Sequence, residues 1–309
     1  MTSYFKKLRK TLTKIRWTWS TLTSHPLSAN HKLATLRRYL LFHLSRRVFR
    51  KPSVYPYVND LRLVGRFGGG VTGNIYFGLH DFEDMSFVLH FLRGEDLFVD
   101  VGANCGSYTL LAAGACGCKT IAVEPVPQTY EHLLENLRLN ELEDKVMAHP
   151  MGLGERGGRL RFSDNKGAMN QVLTDDETRT ASVEVSVLSL DALLAGKVPT
   201  LLKLDVEGYE FPVLSGAKQA LASIQLKAII MELNGTGKKY GHADEEIHQL
   251  LLSYRFRPFK YDPLGRKLDP IKSFNRSKFN TLYIRSEASA FAEARVQNAR
   301  KFRVNGREF

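Results

Sequence analysis

From residue 82 onward, short apolar runs alternate with segments whose apolar positions recur three or four apart. Runs of four or five apolar residues between turn formers read as buried strands, and the 3.6-residue period reads as helices packed on them. The spacing predicts a helix over about 82–93, the strand Leu97–Val101, a helix over about 107–115 and the strand Thr120–Val123. A helix over about 127–140 follows, with Tyr130, Leu133, Leu134 and Leu137 on one face, and then the strand Lys145–Ala148. Residues 152–188 are more polar and offer two short strands, Arg159–Phe162 and Val183–Val187, around a Gly-, Asn- and Asp-rich loop. The alternation resumes with Leu201–Asp205, a helix over about 209–223, the strand Ala228–Glu232, a helix over about 244–253 and strands near 256–261 and 280–285. Strands alternating with helices in this way imply an α/β domain, doubly wound around a mostly parallel sheet of about seven strands.

The first 55 residues have a different pattern. Leu33, Leu36, Leu40 and Leu44 recur at helical spacing, while Lys32, Arg37, Arg38, Arg46, Arg47 and Arg50 occupy other faces. This predicts a basic amphipathic helix, which either lies on an anionic membrane surface or caps the domain that follows. Within 60–80, Leu61–Val64 and Asn74–Phe77 flank Gly68-Gly69-Gly70 and predict a hairpin. The expected organisation is a basic, partly helical extension over 1–55, a catalytic domain over 56–290 and a basic tail over 291–309.

Charge sharpens this division. The formal net charge is +12, but residues 1–51 carry +13 with no acid, residues 253–309 carry +9, and residues 52–252 carry −10. An acidic middle excludes a uniformly basic nucleic-acid coat, and 43% apolar residues supply a full core. The longest apolar runs fall short of the ~20 residues that a spanning helix needs. The basic N-terminus is followed by no apolar stretch of the signal-peptide kind, so secretion is not expected. Cys105, Cys116 and Cys118 are odd in number, close together and without metal-site spacing, which suits reduced thiols in the cytoplasm.

The most informative stretch is Phe98-Val99-Asp100-Val101-Gly102-Ala103-Asn104-Cys105-Gly106-Ser107-Tyr108-Thr109, an apolar strand running through glycines into a helix. This is the first βα crossing, where open α/β sheets bind nucleotides. Glu124, at the end of the next strand, is placed to accept hydrogen bonds from ribose hydroxyls, with Pro125 after it. The loop lacks the third glycine of the dinucleotide fingerprint. It also sets the acid Asp100 before Gly102, which would repel a pyrophosphate but attract a cation. Of the adenosine cofactors, S-adenosylmethionine has the ammonium and sulfonium that suit such a site. Asp100, Gly102, Ala103, Asn104, Gly106, Ser107, Glu124 and Pro125 are the expected cofactor-binding residues; Asp100 alternatively fastens the loop.

A second signature, Leu201-Leu202-Lys203-Leu204-Asp205-Val206-Glu207-Gly208-Tyr209-Glu210, is again a strand ending in acids and opening a helix. It is expected beside the first strand, across the switch point, so that both ends face one crevice. Glu210 reads as a first-turn acid favoured by the helix dipole. These stretches, together with Val123-Glu124-Pro125, Val213-Leu214-Ser215-Gly216-Ala217 and Asn280-Thr281-Leu282-Tyr283-Ile284, resemble the FkbM family of S-adenosylmethionine-dependent O-methyltransferases over roughly residues 95–285. The resemblance implies a class I, Rossmann-like methyltransferase fold with a seven-stranded sheet and an antiparallel last strand. It also implies transfer to hydroxyl groups of sugars, glycans or natural products. Met151-Gly152-Leu153-Gly154 departs from the pattern in lacking an Asp after the third strand.

Methylating a hydroxyl calls for a base and for exact alignment of nucleophile, methyl and sulfur. Asp205 is the first candidate base, Glu207 the second and His242 the third. Asp205 alternatively holds the cofactor's ammonium, Glu207 a substrate hydroxyl, and His242 is alternatively plain surface. Asp205, Glu207 and Glu232 are oxygen donors suited to Mg²⁺, but no dedicated spacing is present and no metal is expected. Competing readings are an RNA methyltransferase, motivated by the basic ends, and a non-catalytic membrane-surface or assembly protein. The first lacks the amino-methylation motifs and the Pro-Cys nucleophile, and the intact glycine loop and Glu124 argue against the second. The expected partner is a hydroxylated acceptor, with an anionic membrane surface reached through residues 1–51 and nucleic acid disfavoured. The expected location is the cytoplasm, peripherally at the inner face of a membrane.

Overall fold

The strands at the centre of the molecule are apolar on both sides because helices cover both faces of their sheet. A computed structural model describes residues 18–29, 31–49, 51–66, 72–165, 167–276 and 280–309. The basic residues of 1–17 and the Gly68-Gly69-Gly70 turn lie outside the described residues. A helix α1 (Lys32–Phe49) leads to strands β1 (Ser53–Pro56) and β2 (Arg62–Gly65), then to helices α2 (Thr72–Phe77) and α3 (Phe82–Phe91). The alternating region runs β3 (Leu97–Val101), α4 (Ser107–Leu110), β4 (Lys119–Val123), α5 (Pro127–Leu139) and β5 (Val146–His149). A small side sheet follows, of β6 (Gly152–Leu153), β7 (Gly158–Ser163) and β8 (Ser182–Leu188). Next come α6 (Leu190–Leu194), β9 (Leu201–Leu204), α7 (Glu210–Ser215), α8 (Lys218–Ala222), β10 (Ala228–Glu232) and α9 (Asp244–Ser253). The chain ends with β11 (Phe256–Asp262), β12 (Lys267–Pro270), β13 (Asn280–Arg285), α10 (Ser289–Gln297) and the pair β14 (Arg303–Val304) and β15 (Arg307–Glu308).

Among the described residues the central sheet has eight strands, in the order β12-β11-β13-β10-β9-β3-β4-β5. The five from β10 to β5 are mutually parallel, and β13 is antiparallel to both its neighbours. The expected antiparallel late strand is therefore present, inserted between β10 and β11. The expected count of seven is exceeded by β12, which pairs antiparallel with β11 from Phe259↔Pro270 to Asp262↔Lys267. Asp262 makes this hairpin by accepting the Leu264 N–H at 3.1 Å. Successive residues face opposite sides. Phe98, Ala122, Leu201 and Ile230 pack into one core with α3, α4 and α5, while Val99, Ile121, Leu202 and Ile229 pack into another with α6 to α9.

Three local expectations are corrected. The hairpin exists, but it joins β1 to β2, with Val54 opposite Val64. Asn74–Phe77 is helical and buried instead. Four residues of alternation cannot override packing: the Tyr76 carbonyl accepts Arg38 Nε–H of α1 at 2.9 Å, and Asn74 Oδ1 accepts the His80 N–H at 2.8 Å. The helix expected over 209–223 is two, α7 and α8, parted at Gly216 and Ala217. The residues expected as a C-terminal tail carry α10 and a β-pair, with Arg295 paired to Asp96 and Val304 bridged to Val58. No helix among the described residues is long and apolar enough to cross a membrane.

Candidate active site

The carboxyl end of β3 turns sharply because its glycines permit it. Gly102 and Ala103 both donate to the Val123 carbonyl at 3.0 Å, which swings the chain across the end of β4. Gly102 adopts φ +76, and a Cβ on it would stand 1.8 Å from the Asp205 carbonyl oxygen. Gly106, at φ +88, begins α4 where a Cβ would meet Leu133 Cδ1 at 2.6 Å. Between them Asn104 holds a left-handed φ of 52 without being glycine, a strained conformation found where surroundings over-determine it. Glu124 supplies the determination: Oε2 accepts the Asn104 N–H at 2.9 Å and Oε1 the Val126 N–H at 3.0 Å. Burial pushes the Glu124 carboxyl up to about 7, against the pull of those backbone donors.

The β9 turn faces this loop. The β3–β9 register sets Asp100 beside Lys203 and Val101 beside Leu204. Lys203 is 3% exposed, donates to Asp205 Oδ2 at 2.8 Å and lies 4.8 Å from the centre of the Tyr108 ring. Burial alone would lower its pKa, but Asp205, Asp100 and Glu232 outweigh burial and raise it, so the ammonium persists. Burial would likewise raise Asp205, but the Lys203 charge and hydrogen bond hold it below the ordinary carboxylate range. Glu232 is pushed up to about 10, first by burial and then by the Asp205 charge, which favours its neutral form. Glu207 has a left-handed φ of 54. Burial, with the Asp205 charge added, pushes its carboxyl up to about 7. Glu210, at the start of α7, accepts the Val206 and Gly208 N–H groups with Oε1, both at 3.1 Å, and so braces the turn that presents Asp205 and Glu207.

The two turns share a cavity of about 240 Å³. Gly102, Ala103, Asn104, Ser107, Glu124, Pro125, Asp205 and Glu207 line it, and so does Lys203, the sole Lys or Arg among the described lining residues. A smaller apolar recess adjoins it, shares Gly102, Pro125, Phe162 and Val206, and is lined by Met151 and Leu153. Asp205, Glu207 and Glu232 bring carboxylate oxygens within 4.8 Å of one another. Asp100 and Gly106 do not line the cavity. Asp100 is buried beneath the loop, where Oδ2 accepts the Thr109 hydroxyl at 2.7 Å. His242 also lies away from the cavity lining, with its ring stacked on Phe211 at 4.0 Å and Nδ1 3.3 Å from Glu246.

A family model described as "Methyltransferase FkbM domain" matches residues 100–258, just over half of the chain and all of both turns. The chain belongs to the FkbM methyltransferase family. Among its relatives, the hexuronic acid methyltransferase AglP of Haloferax volcanii is 32% identical over 147 residues, 45% of this chain and 56% of that protein. Methyltransferase 1 of Beauveria bassiana is 32% identical over 149 residues, covering 40% of this chain and 58% of its own length. The chain thus spans a little over half the length of these two curated relatives. A solved FkbM methyltransferase from Methylobacillus flagellatus aligns over 89% of this chain and 60% of its own, with 16% identity and a TM-score of 0.42.

In this member of the FkbM family, several cavity residues went unnamed by the sequence pattern. Lys203 had a signal: a lysine inside a fully apolar strand, two residues before Asp205 and therefore on the same side of it. Asn74, His80 and Asp81 had none, because their segment reads as a hairpin. In the 233–243 loop, Asn234 and Lys239 are engaged by the protein while Lys238 is exposed. Asn234 Oδ1 accepts the Thr236 N–H at 2.9 Å, and Lys239 pairs with Glu177 at 2.7 Å.

Proposed function

We propose that the enzyme transfers a methyl group from S-adenosylmethionine to a hydroxyl of a sugar-bearing acceptor, with Glu207 as the base. The observation that carries this reading is a carboxyl held near neutrality in the cavity, beside an Asp205 carboxylate already engaged by Lys203. Asp205 stands first among the candidates by sequence, but a carboxylate ion-paired to a buried ammonium and depressed in pKa is a weak base. A base works best when its pKa lies near the operating pH. His242 is left out because its ring is engaged elsewhere.

The residues fit the donor. Gly102, whose missing side chain makes room for the Asp205 carbonyl oxygen, lets the glycine loop and the acidic turn close on one cavity. Glu124 stands at the end of β4 with lone pairs to spare for ribose hydroxyls, and Met151, Leu153, Phe162 and Pro125 offer an apolar recess for adenine. That recess makes sense of the missing Asp after β5. Because Lys203 is committed to Asp205, the described lining residues offer no free Lys or Arg to a pyrophosphate, which suits a cationic donor. When bound, S-adenosylmethionine supplies a methyl on a sulfonium, which leaves as a neutral thioether. Glu207 accepts the acceptor's proton as its oxygen bonds to the methyl, a contribution of ~10²–10⁴-fold. Alignment of the acceptor in the cavity contributes the larger share, ~7–11 kcal/mol.

The name of the haloarchaeal relative supports a sugar as acceptor, and an uronic acid as the first to try. Three buried thiols, none of them in a disulfide, suit a reducing, cytoplasmic setting. The test is transfer of labelled methyl from S-adenosylmethionine to uronic-acid glycosides, neutral hexosides and RNA. Alkali-stable label on a sugar is expected. Label on RNA alone, or no donor binding by calorimetry, overturns the reading.

A further inference from the structure

We propose that the outer face of α1 is an interfacial anchor for an anionic lipid bilayer. Leu33, Leu40, Leu41, Leu44 and Val48 are 77, 55, 56, 60 and 63% exposed. At ~100° per residue they fall within about a third of the helix circumference. Arg37 and Arg47 are exposed in the same arc, and residues 1–51 contain no acid. The opposite face is firmly held: Phe42 is 1% exposed, Thr35 is fully buried, and Arg38 donates to the Tyr76 carbonyl. This differs from the stripe that the sequence suggests, because Leu36 turns inward to the core while Leu41 and Val48 join the outer row.

A helix with one face docked on its own domain has no internal use for five aliphatics on the other. The chemistry favours a lipid surface as the occupant. Aliphatic side chains insert at the headgroup boundary while arginines among them meet anionic headgroups. A second copy fits poorly, since an isologous contact would oppose Arg37 and Arg47 to their equivalents with no acid on the helix to offset them. RNA fits poorly because the row offers no aromatic ring for a base to stack on. The anchor is also joined to the cavity: α1 packs on α2, which carries Asn74 into the cavity wall.

The test uses the full chain and co-sedimentation with vesicles of phosphatidylcholine alone or with phosphatidylglycerol. Binding to the anionic vesicles is expected, with weak binding to the zwitterionic ones. The double variant Leu40→Glu/Leu44→Glu is expected to lose on the order of 100-fold in affinity. Arg37→Gln/Arg47→Gln is expected to lose about 30-fold on anionic vesicles only. Both variants should melt like the parent and bind S-adenosylmethionine as it does. Unchanged vesicle binding by the leucine variant, or equal binding to both vesicle types, overturns the proposal. So does a dimer in lipid-free solution that the leucine variant dissolves, since that outcome assigns the face to a second copy.

Discussion

The carbonyl oxygen of Asp205 occupies the place where a side chain on Gly102 would begin, 1.8 Å from an ideal Cβ. The glycine loop and the acidic turn are far apart in sequence but interlocked in space, so a change in one is felt in the other. Gly102→Ala is expected to cost on the order of 3 kcal/mol, combining overpacking with a left-handed φ, and to abolish donor binding. Gly158→Ala, where a Cβ meets nothing within 4 Å, should stay within about 0.5 kcal/mol of the parent. Thermal unfolding and calorimetry with S-adenosylmethionine check both, and a Gly102→Ala protein that melts normally would refute the interlock.

The pH dependence of turnover should report Glu207. Its carboxyl is pushed up to about 7 from an ordinary 4.5, so the basic form is scarce below pH 6 and predominant above pH 8. kcat/KM is expected to rise with pH through a midpoint near 7. Glu207→Gln should flatten this limb and lower kcat by ~10²–10⁴-fold, with donor affinity within a few-fold of the parent. A variant that keeps the limb and the rate assigns the proton to another group.

Lys203→Met should expose how much negative charge this lysine offsets. Removing one partner of a buried ion pair costs ~3–5 kcal/mol, and the partial exposure of Asp205 moves the expected loss to the lower end. The sign with pH is set by Asp205. Paired, its pKa lies below 3.8, so it adds stability that is present above that value and lost as pH falls through the folded pKa. Unpaired, burial raises it, and the variant loses stability as pH rises above about 4. Urea unfolding at pH 7.5 and pH 4.5 should show the gap between variant and parent narrowing on the acid side.

Metal removal should leave turnover intact. Asp205, Glu207 and Glu232 converge closely, but Lys203 already brings a positive charge to Asp205 and Glu232 stays protonated. Assay in excess EDTA, before and after added Mg²⁺, checks this. Loss on chelation with recovery on Mg²⁺ would assign the three carboxylates to a divalent ion.

What was legible in the sequence followed from strong local signals. The strands Leu97–Val101 and Ala228–Glu232 and the helix Asp244–Ser253 have the bounds their patterns indicate, because long apolar runs and helical periods leave few alternatives. The glycine loop and Glu124 were legible because their chemistry depends on order along the chain. Segments settled by distant contacts were not. Asn74–Phe77 becomes helix through Arg38 and His80, and β12 becomes a strand only because β11 offers an edge. The relative basicity of Asp205 and Glu207 was hidden for the same reason: it depends on Lys203 and Glu232, and Glu232 lies on another strand.

Glu210 separates bracing from chemistry. It is 3% exposed, and its Oε1 accepts both turn N–H groups. Glu210→Ala leaves the buried Gly208 N–H unsatisfied, at ~1–3 kcal/mol, and frees the partly buried Val206 N–H, so the variant is expected to melt markedly lower and to lose turnover as Glu207 loses its fixed position. Glu210→Gln keeps an acceptor oxygen and should retain most activity. Burial pushes the native carboxyl up to about 7 from an ordinary 4.5, so folding takes up a proton between these values and native stability falls as pH rises through that window. Gln has no such proton. The Tm of Glu210→Gln relative to the parent should therefore climb from pH 5 to pH 8, which differential scanning fluorimetry reads directly. A constant difference would mean that the native carboxylate is ionised throughout, and that its two N–H donors outweigh its burial.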